Sequence, residues 1–197
     1  GTVKDLSGNG NAGTLTNMNQ ATSPTLGKLG QAMSFNGSNS YITMGTQSSL
    51  NLTTTGTVSA WFKINAADAG SDYHILGTEN WFDDVNGYTL GYCGGGCGNP
   101  HIQVEIGNGS TSASVFETGS YIDGKWHLAT ATWDGTTLKL YIDCGLSGTP
   151  VSQVTPVSNV NPFTVGKDPA NSLSYMKGGI DDVRVYNRAL SATEVKQ

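Results

Sequence analysis

Apolar and polar residues alternate in short runs along most of the chain, and Gly, Asn or Asp breaks the pattern between runs. A period of two marks a half-buried strand, because successive side chains of a strand point to opposite faces. The pattern predicts strands at 32–35, 40–44, 57–64, 74–77, 88–92, 101–106, 126–133, 137–142, 163–165 and 180–186. Asp134-Gly135 between two alternating runs predicts a tight hairpin, and Asn36-Gly37 between Phe35 and Tyr41 predicts another. No helical period longer than a terminal turn is present. Many short strands without helices predict a two-sheet antiparallel sandwich. With 197 residues and no internal repeat or linker-like stretch, residues 1–197 are expected to form a single domain.

The closing segment carries the strongest local signals. Val183 and Val185 share one face of the predicted strand, and Asp182, Arg184 and Tyr186 share the other. Parity sets Asp181 with the valines, facing a core. A carboxylate there needs a hydrogen-bonding turn, a cation or a metal, because desolvating an isolated charge costs several kcal/mol. Ser191 and Glu194 have the spacing of a capping box, so the chain is expected to end in a short helical turn.

Composition narrows the class of partner. Only 13% of residues are charged and the formal net charge is −5, which argues against nucleic acid or an anionic membrane surface. No run approaches the ~18 apolar residues of a membrane span. Gly1-Thr2-Val3-Lys4 lacks signal-peptide features, so an export signal is expected to have been removed or to lie outside residues 1–197. Of the three cysteines, Cys93 and Cys97 flank three glycines in a loop flexible enough to close as a disulfide, which implies an oxidising, extracytoplasmic setting. Three free thiols are the alternative. A closed zinc site is disfavoured, since it needs four ligands and only His101 lies nearby in sequence.

Several stretches together resemble one family. Asp5-Leu-Ser-Gly-Asn-Gly-Asn-Ala-Gly-Thr14, Gly30-Gln-Ala-Met-Ser-Phe-Asn-Gly37 and Val58-Ser-Ala-Trp-Phe-Lys63 come first in order. Trp126 to Gly135, Leu140-Tyr-Ile-Asp143 and Gly179-Ile-Asp-Asp-Val-Arg-Val-Tyr-Asn-Arg-Ala-Leu-Ser191 complete the series. They resemble a LamG-like jelly-roll domain of the concanavalin A-like lectin/glucanase superfamily over nearly the whole chain. Cys144 departs from the family, which usually carries Gly after Tyr-Ile-Asp, and residues 80–99 look like an insertion. The resemblance implies a jelly roll, but such sandwiches host lectins, enzymes and adhesion modules alike.

Catalysis finds little support. Retaining glucanases of the superfamily resemble one another in a Glu-x-Asp-x-x-Glu strand, whose same-face carboxylates can sit about 5–5.5 Å apart. No such spacing occurs here: Glu79 precedes Asp83 and Asp84 at the wrong offsets, and Glu105 and Glu117 lack partners. His101-Ile-Gln103 only reverses the Gln-Ile-His of jelly-roll lyases, no Gly-x-Ser-x-Gly occurs, and none of the three histidines has an evident carboxylate beside it.

Binding is the better reading. Sugar recognition uses aromatic faces that stack on pyranose rings, flanked by carboxylates and amides that bond hydroxyls. Trp81, Asp83, Asp84, Asn86 and Tyr88 assemble those types within one polar stretch, and Tyr92, Asn99 and His101 extend it across the cysteine loop. The alternative is that Trp81 and Tyr88 flank a hairpin packed on the sandwich edge. A glycine-broken turn also gathers Asp5, Asn9 and Asn11, oxygen donors that suit calcium. In the resembling domains the first and last strands are neighbours, which implies that Asp5 and Asp181 meet at one structural calcium. The expectation is a non-catalytic carbohydrate-binding module of an extracellular or cell-surface protein, part of a larger chain, binding a glycan or polysaccharide. A protein–protein adhesion or spacer module is the alternative, and a glycoside-active enzyme a weaker one.

Overall fold

A computed structural model describes residues 1–79 and 86–197, and among these the chain forms strands with only single turns of 3-10 helix. The strands begin with β1 (Thr2–Val3), β2 (Gly13–Thr16), β3 (Pro24–Leu26), β4 (Gln31–Asn36) and β5 (Tyr41–Gly45). Next come β6 (Gly56–Lys63), β7 (Tyr73–Gly77), β8 (Asn86–Cys93), β9 (His101–Asn108) and β10 (Ser112–Glu117). The last are β11 (His127–Trp133), β12 (Thr137–Ile142), β13 (Gly145–Ser152), β14 (Phe163–Val165) and β15 (Lys177–Tyr186). An eight-stranded sheet runs β1-β2-β5-β14-β7-β8-β9-β10, and a seven-stranded sheet runs β13-β12-β11-β6-β15-β4-β3. Every pairing is antiparallel, which makes the fold the expected two-sheet jelly-roll sandwich.

Alternation builds the core. Val58, Ala60 and Phe62 of β6 face inward, as do Ala129, Ala131 and Trp133 of β11. The register sets Ala129 opposite Ala60 and Ala131 opposite Val58, so the middle of this sheet is thin. Large rings from the other sheet fill the space: Tyr88 of β8 meets Trp133 at 5.4 Å between ring centres. Asp134-Gly135 makes the predicted β11–β12 hairpin. Asn36-Gly37 does not make one, because β4 and β5 belong to different sheets. There Asn36 Oδ1 accepts hydrogen bonds from the backbone N–H groups of Ser38, Asn39 and Ser40, turning the chain from one sheet to the other.

The closing strand also differs from simple alternation. Its register on β6 shifts between Asp181 and Arg184, and Asp182 takes a left-handed φ of 46°. This bulge adds one residue, so Asp181 faces away from Ile180 and the core-packed Val183 and Val185. Asp181 is nevertheless buried, because the turn after β3 folds over it and Leu29 N–H donates to its Oδ2 at 2.8 Å. Gly27 is required in that turn, since a Cβ there would collide with the Asp181 carboxylate and Ala32 N. At the C-terminus Ser191 N–H donates to Glu194 Oε2 and Glu194 N–H to Ser191 Oγ, the reciprocal pattern of a capping box before the turn Glu194–Lys196.

Candidate functional site

Among the described residues, those expected to form an aromatic platform do not share one surface. Trp81, Asp83 and Asp84 lie outside the described residues. Tyr88 and Tyr92 alternate inward along β8 and belong to the core. Tyr88 has no exposed surface, its hydroxyl donates to Leu50 O at 2.5 Å, and burial pushes its pKa far above the usual phenol value. A ring with no free face cannot stack on a sugar, so this expectation is corrected. Tyr92 is 2% exposed and stacks on Tyr73 at 6.1 Å. His101 points to the opposite face of the sheet, 9% exposed, with Nδ1 2.6 Å from Asn99 O and Nε2 2.9 Å from Gln103 Oε1. Asn86 is half-buried at the start of β8, where its carbonyl accepts from Asn159 Nδ2.

Tyr73 lines a neighbouring cleft, and Tyr92 braces the turn that walls it. The turn leaving β6 is pinned from below, with Tyr73 Oη donating to Asp68 O at 2.9 Å and Tyr92 Oη to Ala69 O at 2.8 Å. From the side, Gly94, Gly95 and Gly96 N–H converge on Asp72 Oδ1 at 2.9, 2.8 and 3.4 Å. The Cys93–Cys97 disulfide closes this loop, with Cα atoms 6.0 Å apart. Glycine is needed at 94, because a Cβ there would strike the carbonyls of Ala69 and Ser71. The segment before β15 forms the facing wall and is tied by His74 N–H to Ser174 O at 2.9 Å.

Between these walls lies an open cleft of about 810 Å³, lined among others by Asp68, Asp72, Ser172, Ser174, Tyr175 and Lys177. Lys177 Nζ reaches Asp68 Oδ1 at 2.7 Å, and that hydrogen bond raises the lysine pKa. Tyr175 is partly exposed and lies 6.4 Å from the Tyr41 ring, over which Lys167 Nζ sits at 5.3 Å. The cleft thus offers an aromatic ring, two carboxylates, hydroxyls and one ammonium. Sequence reasoning missed it because Asp68 and Asp72 lie far from Tyr175 in the chain. The pairing of β7 with β8 and the tie between His74 and Ser174 bring them together.

The two aspartates expected to share calcium are separated by topology. β1 edges the eight-stranded sheet, whereas β15 lies inside the seven-stranded one. Asp5 accepts Ser7 Oγ, Ser7 N–H and Asn11 N–H, each at 2.8 Å, and these bonds, led by the Ser7 hydroxyl, lower its pKa. Asn9 donates to Ser7 Oγ, and Asn11 Oδ1 accepts from Ser49 Oγ. A histidine with carboxylate partners does emerge elsewhere. His127 Nδ1 lies 2.8 Å from Asp143 Oδ2 and its Nε2 lies 3.1 Å from Asp123 Oδ1. Cys144 is a free, half-buried thiol.

A two-sheet antiparallel sandwich with this strand order has the form of a jelly roll. The Laminin_G_3 family profile matches residues 36–196, and the chain belongs to that family of the Concanavalin A-like lectin/glucanases superfamily. No curated protein sequence matches the chain. Among solved structures it resembles the binding domain of Paraclostridial Mosquitocidal Protein 1, with a TM-score of 0.74 and 18% identity over 98% of this chain and 48% of that one. It also resembles domain 4 of AbnA, an extracellular arabinanase from Geobacillus stearothermophilus solved with arabinotriose. There the TM-score is 0.66 with 24% identity, over 93% of this chain and 86% of that one. The botulinum neurotoxin serotype D binding domain gives 0.73 and 16%, over 98% of this chain and 47% of that one. At these identities the likeness is one of fold, and the chain spans about half the length of the two toxin chains.

Proposed function

We propose that the protein is a non-catalytic carbohydrate-binding module of an extracellular or cell-surface protein, and that the cleft at Asp68, Asp72 and Tyr175 is its site. The observation that carries this reading is the pairing of a partly exposed tyrosine ring with two fixed carboxylates around an open space of about 810 Å³. Sugars are held by that combination, a ring face against C–H groups and carboxylates accepting from adjacent hydroxyls. The arabinotriose bound by domain 4 of AbnA supports it, as do the binding roles named for the toxin domains. The strand register also favours binding over retaining hydrolysis, since Glu105 sits between Thr89 and Ser114 rather than beside a second carboxylate.

Glycan-array binding of wild type, Tyr175→Ala and Trp81→Ala tests the reading. Tyr175→Ala should weaken binding about tenfold or more, the equivalent of ~1.4 kcal/mol for a lost stacked ring. Loss in Trp81→Ala alone would move the site to Trp81, Asp83 and Asp84. Silence of wild type across broad arrays would favour the protein-adhesion or spacer reading. Calcium belongs to this reading only at the turn of Asp5, Asn9 and Asn11. A lower melting temperature in chelator supports it there, and an unchanged one removes it.

A further inference from the structure

The far side of the glycine loop gathers a different chemistry from the cleft. β8 ends at Cys93, β9 begins at His101, and the two are direct register partners. Opposed residues of an antiparallel pair project from the same face, with Cβ atoms about 4.5–5.5 Å apart. Cys97 comes back from the loop tip to bond Cys93. One ligand-capable atom from each of Cys93, Cys97 and His101 lies within 4.8 Å of the other two, a spacing no other trio of His, Cys, Asp or Glu reaches among the described residues.

We propose that, once the disulfide is reduced, Cys93, Cys97 and His101 bind one thiophilic divalent cation of the zinc or cadmium type. Two thiolates and an imidazole suit such an ion, whereas magnesium and calcium take oxygen. Three protein ligands are enough for a tetrahedral zinc site that keeps water in its fourth position. The geometry survives loss of the S–S bond because the loop has a second anchor, the Gly94, Gly95 and Gly96 N–H groups on Asp72. The histidine is also oriented. Asn99 O beside Nδ1 and Gln103 Oε1 beside Nε2 can each accept a ring N–H, and an oxygen on the nitrogen away from the ion is the outer-shell arrangement common around zinc-bound histidines. The ring nitrogen that turns to the ion gives up its oxygen partner, and the other keeps its own.

The two states exclude each other. A dithiol or phosphine reductant supplies two electrons, the S–S bond breaks and two protons make two thiols. The cation then displaces those protons as the sulfurs ligate, and a small-molecule disulfide, taking two electrons and two protons to become two thiols, re-forms the S–S bond and expels it.

Cadmium titration of oxidised and phosphine-reduced protein tests this, read by thiolate-to-cadmium ultraviolet absorption and proton release. Reduced protein should take one equivalent and release about two protons, and oxidised protein should show no such band. His101→Ala should weaken binding at least as much as the about 10–100-fold that loss of an outer-shell partner costs. Cys97→Ser, at an exposed loop position, should lose tight binding while keeping the wild-type melting curve of the reduced state. Cys144→Gly should bind as wild type does. Equal binding by His101→Ala or Cys97→Ser, an equal band in oxidised protein, or a band that disappears with Cys144 would overturn the site.

Discussion

Mild acid should destabilise this protein through His74. The imidazole has no exposed surface, its Nδ1 lies 3.1 Å from Thr89 Oγ1, and its Nε2 has no hydrogen-bond partner among the described residues. Burial, and secondarily the positive charge of Lys167, lower its pKa from 6.5 to about 3. The unfolded chain therefore takes up a proton near 6.5, while the folded protein refuses one until about 3. Stability is complete above the higher value and falls as pH drops through that window, because the unfolded state binds more protons. Each pH unit costs ~1.4 kcal/mol, so acidification to about pH 4.5 removes ~2.7 kcal/mol of the ~5–15 typical of a domain. At ~2–4 °C per kcal/mol the melting temperature falls by ~5–11 °C. Urea unfolding at about pH 7, 5.5 and 4.5 should show this slope, and His74→Gln should flatten it by ~1.4 kcal/mol per unit whatever its stability at neutrality. Identical slopes in the two proteins, or a His74 imidazole resonance titrating near pH 6, would refute the argument.

Other outcomes follow from single positions. Tyr88→Phe should cost ~1–3 kcal/mol in urea unfolding by leaving the buried Leu50 carbonyl without its donor, and no change would return Tyr88 to the surface. Because the folded Tyr88 pKa is raised, its contribution is full below about pH 10 and lost as pH rises further, so the phenylalanine variant should have the flatter alkaline limb. Cys144→Gly should stabilise by ~1 kcal/mol in a thermal melt, since Cys144 sits at φ 68° beside Asp143 at φ 50° in a turn that favours glycine. A drop in melting temperature would show that the Cys144 side chain contributes packing. Asp181→Ala should cost ~1–3 kcal/mol by orphaning Leu29 N–H, equally in calcium and in chelator. A cost confined to calcium-loaded protein would put an ion on Asp181.

Alternation exposed the interior strands and hid the edges. The runs at 57–64, 101–106 and 126–133 lie inside the sheets, where apolar residues line the inward face and the period of two is clear. The strands it missed include all four edges, β1, β10, β13 and β3, together with β2 beside an edge. Edge strands are short or carry Pro, as β3 does at Pro24 and β13 at Pro150, because an unpaired side invites association. Parity placed Asp181 on the wrong face for a local reason, since a one-residue bulge reverses every later position and leaves no compositional trace. Tyr88 and Tyr92 read as surface residues because polar, glycine-rich neighbours masked the inward face of β8. The disulfide was legible because its partners are local, whereas the cleft depends on contacts between distant segments.

The two walls of that cleft are unequal in what evolution can change. One is main chain packed on main chain, where Gly94 excludes any side chain and Gly95 approaches the Gly70 carbonyl too closely for most. The other carries Ser172, Leu173 and Tyr175, whose side chains meet solvent at least in part. Mutations accumulating on the second wall can alter the shape of the opening one residue at a time, against a boundary that stays put. A lineage built on this scaffold can therefore diversify what it recognises without first losing the fold.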